Sequence, residues 1–339
     1  MTEQEKIENL EKKHISVLLN ELVDSIDISK TKTNVIVDCT LGMWWHASKI
    51  IEKMNPWDTF IWFDADIQNL ELAKERLIWV LSENNIEFWF IESNGNKAKT
   101  QVNIVLIHSN FVHLKRELQN IWIEKITWIY YDLWISSLHV DEAERWFSFK
   151  KDGPLDMRFD KSSGRTAADI VNSYTQDELR KVFLTYWEEP SSNKIAARIV
   201  ETRKKQKLKT TKELTNVIEE TTKNQKSKNR IFQALRIETN KELENIETSL
   251  RDAINLLDEK WKIFVISFHS LEDRITKQIF KKETKDCICT DLICSCGHKK
   301  SLKVISKKPI LPTKKEIEEN PRSRSAKARL AEKIYNNTP

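Results

Sequence analysis

Three acidic residues occupy positions from which a carboxylate could bind a ligand. Asp38, Asp64 and Asp132 each end an apolar, strand-like run. In open α/β sheets, ligands bind outside the carboxyl ends of the strands. An acid after the second strand commonly accepts hydrogen bonds from ribose hydroxyls of a nucleoside cofactor. Asp132 is placed to accept a hydrogen bond from an amino group. The alternative for Asp64 and for Asp132 is a carboxylate that caps a turn or a helix.

The loop after the first predicted strand would pass close to such a cofactor. It reads Thr40-Leu-Gly-Met-Trp-Trp-His46, which is not the GxGxxG pattern of dinucleotide-binding proteins. A nicotinamide-dependent oxidoreductase is therefore supported by Asp64 alone, and a different nucleoside cofactor is favoured.

Two C-x-C pairs form a compact group of thiols near the carboxyl end of the chain. The cysteines are Cys287, Cys289, Cys294 and Cys296. Four thiolates satisfy a tetrahedral zinc ion, although C-x-C is tighter than the usual spacing of zinc ligands. This pattern predicts a structural zinc clip, with a loop of reduced thiols as the alternative. Cys39 stands alone at a strand end and is predicted to lie in the core.

The segment from Ser267 to Arg274 is rich in polar side chains and follows the last predicted strand. A serine hydrolase would need a nucleophile elbow, and none surrounds Ser267 or Ser270. Substrate positioning or loop hydrogen bonding is the favoured interpretation of this segment, including His269.

Strand-like and helix-like runs alternate along the chain. Strands are predicted at residues 34–39, 59–64, 103–108, 126–133 and 262–268, and helices at 46–54, 67–80, 111–119 and 230–257. This alternation predicts βαβ units and a parallel sheet.

A helical, basic segment interrupts the strands between residues 139 and 228. Its basic residues are Arg198, Arg203, Lys204, Lys205, Lys207, Lys209 and Lys212. The tail after Lys299 is also basic, through Lys307, Lys308, Arg322, Arg324, Lys327 and Arg329. The net charge is only +5, so a polyanion would be bound by such local patches. An ordinary solvated helix face explains the charge of the insertion equally well.

Composition excludes some classes of protein and shows one anomaly. No apolar run approaches the ~20 residues that cross a bilayer, and the first residues lack an apolar signal core. These features favour a cytoplasmic protein without a membrane partner. The anomaly is 5 glycines against 12 tryptophans, where average usage predicts about 24 glycines.

Several segments together resemble one family. They are His14-Ile-Ser-Val-Leu-Leu-Asn-Glu21, Asp132-Leu-Trp-Ile-Ser-Ser137, Glu144-Arg-Trp-Phe-Ser-Phe149, Asp152-Gly-Pro-Leu-Asp-Met-Arg158, Phe232-Gln-Ala-Leu-Arg-Ile237, Ile266-Ser-Phe-His-Ser-Leu-Glu-Asp-Arg274 and Asn320-Pro-Arg-Ser-Arg-Ser-Ala-Lys327. In this order they resemble the RsmH (MraW) family of bacterial 16S rRNA cytosine-N4 methyltransferases.

The resemblance implies an α/β fold, namely a Rossmann-like class I methyltransferase sheet with an inserted all-helical domain. Residues 1–138 and 229–339 would form the methyltransferase domain, and 139–228 the inserted substrate-recognition domain. It also implies S-adenosylmethionine as the cofactor and 16S rRNA in the small ribosomal subunit as the partner. The sequence leaves open whether the chain forms a homodimer.

Site residues follow from the same resemblance. The cofactor contacts fall on Trp44, Trp45, His46, Asp64, Phe111, Asp132 and His139. Asp132 is also the catalytic candidate. His139 stands where the family commonly has glutamine, and Leu138 replaces a usual proline.

Ten tryptophans occupy positions at which the family has glycine. They are Trp44, Trp45, Trp57, Trp62, Trp122, Trp128, Trp134, Trp146, Trp187 and Trp261. Chance replacement of about ten turn glycines by the bulkiest residue is physically implausible, because positive φ angles and close approaches favour glycine. Our hypothesis is that UGA codons read as glycine in the source organism were translated as tryptophan. The alternative function is a nonenzymatic, RNA-binding ribosome-assembly factor whose cofactor pocket is blocked by genuine indoles.

Overall fold

The protein is represented by a computed structural model that describes residues 16–40, 45–84, 86–90, 101–134, 152–162, 164–289 and 295–334. The chain divides into two compact units. The sheet unit comprises residues 1–134 and 245–339, and the helical unit comprises residues 135–244.

An eight-stranded sheet forms the centre of the sheet unit. The strands are β1 (Val35–Asp38), β2 (Thr59–Asp64), β3 (Phe88–Phe90), β4 (Val102–His108), β5 (Ile126–Asp132), β6 (Leu257–Ser267), β7 (Leu302–Val304) and β8 (Lys327–Lys333). Their order is β3-β4-β2-β1-β5-β6-β8-β7. The first six strands in this order, from β3 to β6, pair with one another in parallel, whereas β8 is antiparallel to both β6 and β7. This arrangement confirms the predicted Rossmann-like sheet.

Helices cover both faces of the sheet because alternate strand residues are apolar on each side. The helices of this unit are α1 (Leu19–Asp24), α2 (Trp45–Ile51), α3 (Ile67–Glu83), α4 (Leu114–Asn120), α10 (Glu242–Leu256), α11 (Ser270–Glu283) and α12 (Lys314–Glu319). α1, α2 and α3 contribute to the core cluster that contains Ile36 and Phe60. α4, α10 and α11 contribute to the cluster that contains Val37 and Ile61. Both clusters extend to the strand ends and hold them in place.

The helical unit has its own core. Its helices are α5 (Ala167–Ser173), α6 (Gln176–Trp187), α7 (Ser192–Lys205), α8 (Thr211–Thr221) and α9 (Lys226–Asn240). Threonine side chains cap three of them, with Thr166, Thr175 and Thr210 each forming a capping box. No helix among the described residues is both long and apolar enough to cross a bilayer.

Two features of the sequence interpretation differ from the structure near the end of the helical unit. The interpretation ended the insertion at residue 228, whereas the division falls after Glu244. α9 belongs to the helical unit because Ile231, Phe232 and Leu235 pack in its core. The single helix expected at 230–257 was wrong, since Lys241 adopts a left-handed conformation with φ 50° and separates α9 from α10.

The basic tail contains a strand that the sequence interpretation missed. β8 lies between β6 and β7, and Arg329 on this strand is buried. The Arg329 Nε donates to Asp273 Oδ1 at 2.6 Å. Arg329 is therefore part of the fold, and the expectation that it belongs to an exposed basic patch was wrong.

Three of the anomalous tryptophans, Trp62, Trp128 and Trp261, lie in strands, so the expectation that all ten replace turn glycines was wrong. Trp62 in β2 and Trp128 in β5 are almost completely buried. Within the described part of the chain, neither indole Nε1 has a hydrogen-bond partner. An unbonded buried donor costs about 1–3 kcal/mol, and buried tryptophan usually finds an acceptor. Burial of these indoles therefore leaves two N–H donors without an acceptor in that part of the chain, a cost that glycine would not have.

Trp122 provides a test of the glycine hypothesis by stability. It follows α4 with φ 58°, and its side chain is 93% exposed. A left-handed conformation costs a non-glycine residue about 1–2 kcal/mol, which exceeds the entropic cost of glycine in the unfolded chain. We expect Trp122→Gly to stabilise the sheet unit by about 0.5–1 kcal/mol in urea unfolding. Trp57→Gly is the control, since Trp57 is 44% exposed without a positive φ, and this variant should not be stabilised. Destabilisation by Trp122→Gly would contradict the argument.

Candidate active site at the carboxyl edge of the sheet

The three strand-end acids come together on adjacent strands. β2, β1 and β5 are neighbours, and Asp38 pairs in register with Trp62 and Tyr130. Asp64 and Asp132 therefore lie two residues further along their strands than the level of Asp38. The charges of Asp132 and Asp64 both contribute to the raised pKa of Asp38, which places the three carboxyl groups in one electrostatic environment.

Asp38, at the end of β1, fixes the start of the first loop at this edge by hydrogen bonds. It is buried, it accepts hydrogen bonds from the Tyr130 hydroxyl and from the Thr40 backbone N–H, and burial raises its pKa well above the ordinary value. Thr40 in turn accepts a hydrogen bond from the Asp132 backbone N–H through its Oγ1 at 2.6 Å. The first loop is thus tied to the end of β5, and Asp38 has a structural role.

Asp132 lies beside His46, which is on α2. The His46 Nδ1 is 3.6 Å from the Asp132 Oδ2, and both side chains are almost fully buried. The His46 Nε2 lies 3.0 Å from the Val17 carbonyl oxygen. A carbonyl oxygen only accepts, so Nε2 carries the proton in that contact. In the neutral imidazole, Nδ1 then presents a lone pair towards Asp132. A hydrogen bond between the two side chains therefore requires a proton on Nδ1 or on the Asp132 carboxyl group.

Asp64 and Phe111 reach the same edge from the other side of β1. Asp64 is half-buried at the end of β2, and its Oδ1 accepts a hydrogen bond from the Asp66 backbone N–H at 2.6 Å. Phe111 begins a short 3-10 helix after β4, and its ring meets Tyr131 edge-on at 5.8 Å. A half-buried acid and a half-buried ring at adjacent strand ends fit the ribose and the base of an adenosyl group.

A tryptophan follows the first loop, where such a group calls for small residues. β1 ends at Asp38 at the carboxyl edge of the sheet, and α2 begins at Trp45. Trp45 is half-buried and packs against the cluster that contains Ile36. A close backbone approach to a cofactor requires small residues in this loop. Trp44 and His139, the other two predicted contacts, lie outside the described residues.

Comparison with known proteins shows the family to which the chain belongs. A profile of the MraW methylase family matches residues 11–334. The chain belongs to the MraW methylase family. It is 41% identical over 329 residues to Ribosomal RNA small subunit methyltransferase H of Clostridioides difficile, covering 95% of this chain and 99% of that protein. The identity to the protein of the same name from Caldicellulosiruptor saccharolyticus is 43% over 328 residues, with 95% and 99% coverage.

A solved structure is also similar in extent. The rRNA methylase from Streptococcus thermophilus aligns over 94% of each chain with 8% identity and a TM-score of 0.38. That score is too low to support a conclusion about the site, so the family assignment rests on sequence. The family assignment confirms the resemblance and shows that the chain belongs to a family of methyltransferases.

The structure of this MraW-family chain adds residues that the sequence interpretation did not place in the site. Thr40 and Tyr130 position the carboxylates, as described above. Ser267 ends β6 next to Asp132, and its buried Oγ has no hydrogen-bond partner among the described residues. A buried hydroxyl without a partner at a strand end marks a position where a ligand could bind. The polar run after β6 was the only signal for it.

His269 has a structural task in the MraW-family fold. It is the N-cap of α11, where the Glu272 carboxylate accepts hydrogen bonds from the Phe268 and His269 backbone N–H groups at 2.7 and 3.1 Å. The arrangement is a capping box. It agrees with the expectation of loop hydrogen bonding and gives no support to a serine hydrolase.

The cysteine cluster is far along the chain from these residues, in the connection between α11 and β7. Cys287, Cys289 and Cys296 bring one sulfur each to within 4.8 Å of the others. Cys294 lies outside the described residues. Cys39 is buried, as predicted.

Burial of Asp132 leads to a pH dependence of stability. Burial raises its pKa to about 7, against about 3.9 in an unfolded chain. Between these values the folded state holds a proton that the unfolded state has lost, so raising the pH from about 4 to about 7 destabilises the fold. We expect the free energy of unfolding of the parent to fall by on the order of 2–4 kcal/mol over this pH range. Asp132→Asn, which mimics the neutral acid, should not show that fall. Urea unfolding across this pH range measures it. Equal slopes for parent and variant would contradict the raised pKa.

Proposed function

We propose that this protein uses S-adenosylmethionine to methylate the exocyclic N4 of a decoding-centre cytidine in 16S rRNA of the small ribosomal subunit. Membership of the MraW methylase family supports methyl transfer, and the relatives' names support small-subunit rRNA as the substrate. The observation that carries the choice of site is the buried Asp132 beside His46 at the carboxyl edge of the sheet. A titratable pair in that place suits a reaction that releases a proton.

The residues that would hold the cofactor are on adjacent strand ends. Asp64 would accept hydrogen bonds from the ribose hydroxyls, and Phe111 would contact the adenine ring. When bound, S-adenosylmethionine supplies an electrophilic methyl group on a positively charged sulfur. Asp132 adds negative charge at the same edge when it is ionised, while the buried Asp38 holds the loop through Thr40.

Asp132 and His46 would accept the proton that the cytosine amine loses. The N4 lone pair is delocalised into the ring, so the amine must be oriented and relieved of a proton as it is methylated. An ionised Asp132 accepts a hydrogen bond from N4–H and stabilises the developing positive charge. His46, with Nε2 against the Val17 carbonyl, offers Nδ1 as a second proton acceptor. No covalent enzyme intermediate is needed, because the nucleophile is the exocyclic nitrogen.

Exposed lysines on the helical unit would contact the RNA backbone. Lys204, Lys205, Lys207, Lys209 and Lys212 are all exposed near the end of α7 and the start of α8. The arginines of this segment are engaged in the fold, since Arg198 pairs with Glu201 and Glu220, and Arg203 donates to the Val171 carbonyl. We propose that the lysines supply phosphate contacts, so RNA affinity should fall steeply with salt.

The tryptophans at family glycine positions form part of this proposal. We infer that they result from UGA codons read as glycine in the source organism. The strained φ of Trp122 and the unbonded indoles of Trp62 and Trp128 support this inference. Genomic UGA codons at positions 44 and 45 would agree with it, and UGG codons would contradict it. We call the chain with both Trp44→Gly and Trp45→Gly the glycine-restored chain.

Methyl transfer to isolated subunits tests the proposal. The glycine-restored chain is incubated with unmethylated small ribosomal subunits and S-adenosylmethionine labelled in the methyl group. We expect label in 16S rRNA, and none in a parallel reaction that contains isolated large subunits instead. The alternative, a nonenzymatic assembly factor, predicts salt-sensitive RNA binding by the glycine-restored chain without any label transfer.

A further inference from the structure

Three cysteine sulfurs converge in the connection between α11 and β7. The Sγ atoms of Cys287 and Cys296 are 3.9 Å apart, and Cys289 completes a group within 4.8 Å. A disulfide needs sulfurs about 2.05 Å apart, so these thiols are not bonded to one another. Zinc–sulfur bonds of about 2.3 Å in a tetrahedron place the sulfurs about 3.8 Å apart. The observed spacing therefore matches a set of thiolates around one zinc ion.

Backbone N–H groups point at two of these sulfurs. The Cys289 N–H donates to the Cys287 Sγ, and the Ser295 N–H donates to the Cys289 Sγ, both at 3.4 Å. Such bonds stabilise the negative charge of a thiolate, which is the form that binds metal. Gly297, with φ 61°, follows the third cysteine and lets the chain turn away from the cluster.

The sulfurs also join the two arms of the connection. The first arm carries Cys287 and Cys289, and the second carries Ser295 and Cys296. Ser295 contacts Cys289 through its N–H, and Cys296 contacts Cys287 sulfur to sulfur. The second arm continues to Ser301, whose N–H donates to the Glu283 carbonyl at the end of α11. A metal at the sulfurs would close this loop beside the end of the helix.

We propose that Cys287, Cys289 and Cys296 bind one zinc ion that clips the α11–β7 connection. On binding, three zinc–sulfur bonds form and the three thiols release their protons to solvent. Zinc undergoes no redox change in this step. The clip lies away from the carboxyl edge of the sheet in sequence and shares no residue with the proposed site, so it is structural. The inference is independent of the proposed methyl transfer.

Metal analysis of the full chain tests the clip. Protein purified under reducing conditions without chelator should contain one zinc per chain by mass spectrometry of the metal. Replacing the zinc by Co²⁺ should give intense thiolate-to-cobalt charge-transfer absorption. In competition with a chromophoric chelator, Cys287→Ser, Cys289→Ser and Cys296→Ser should each weaken zinc binding at least about 100-fold, corresponding to 2.7 kcal/mol.

Cys39→Ala is the matched control, because Cys39 is a buried thiol outside the cluster and its loss should leave the zinc content at one. Far-ultraviolet circular dichroism of each variant checks that the sheet unit is folded. Less than about one-tenth of a zinc per chain after reconstitution of fully reduced protein would overturn the proposal. Retention of zinc by a folded Cys287→Ser, Cys289→Ser, Cys296→Ser triple variant would also overturn it.

Discussion

Replacing Trp44 and Trp45 by glycine should tighten binding of S-adenosylhomocysteine, the product form of the cofactor, at least about 100-fold, or 2.7 kcal/mol. The physical reason is the position of these residues in sequence, between the end of β1 at the carboxyl edge of the sheet and the first turn of α2. Glycine at this place lets the backbone approach a ligand, and an indole does not. Isothermal titration calorimetry on the parent and on the glycine-restored chain measures the difference.

Trp122→Gly is the matched control for this experiment. Trp122 precedes β5, at the amino end of that strand, and is almost fully exposed. The Trp122→Gly variant therefore removes an indole from the opposite edge of the sheet, and its affinity for S-adenosylhomocysteine should be unchanged. If the parent chain binds S-adenosylhomocysteine as tightly as the glycine-restored chain, the steric argument about the loop is wrong.

Asp132→Asn in the glycine-restored chain should lower kcat for methyl transfer by about 10²–10⁴-fold, the range typical for loss of an acid–base group. The amide cannot take up a proton from N4 or carry the negative charge that stabilises the reacting amine. Asparagine matches the neutral form of Asp132, so the fold should persist. Because burial raises the pKa of Asp132 to about 7, the methyl-transfer rate of the glycine-restored chain should rise with pH through about 7 as the carboxylate forms. The variant should lose that rise.

Two further measurements separate the possible roles of Asp132. A loss of S-adenosylhomocysteine affinity that matches the loss of rate would assign Asp132 to the cofactor, whereas a loss of kcat at unchanged affinity assigns it to the amine. His46→Gln should shift the pH profile, because it removes Nδ1 from its position 3.6 Å from Asp132. Undiminished turnover by Asp132→Asn would remove Asp132 from both roles.

The sequence predicted the parallel part of the fold because its signals are local. Apolar, β-branched runs alternate with amphipathic ones, and the structure has strands at all five predicted places. The carboxyl ends of adjacent parallel strands necessarily meet at one edge, so Asp64 and Asp132 could be brought together without knowing a side-chain contact. The roles of these two residues are still predictions.

Other features depend on contacts that are distant in sequence. β8 has four charged residues among its seven, and its pairing with β6 and β7 together with the bond between Arg329 and Asp273 shows it to be an internal strand. The contact between His46 and Asp132 joins α2 to β5, and the hydrogen bond that Asp38 accepts comes from Tyr130 on another strand. No local pattern contains such information. The glycine hypothesis treated Trp62 and Trp128 as turn positions, although both lie inside strands that the apolar pattern had predicted.

The identity of the methylated atom tests the central claim most directly. Small subunits that have reacted with the glycine-restored chain are digested, and their nucleosides and RNA fragments are analysed by mass spectrometry against N4-methylcytidine and 5-methylcytidine standards. The account predicts N4-methylcytidine at one cytidine of the decoding centre. Methylation at C5 or on another base, or no transfer by a chain that binds the cofactor tightly, would contradict it.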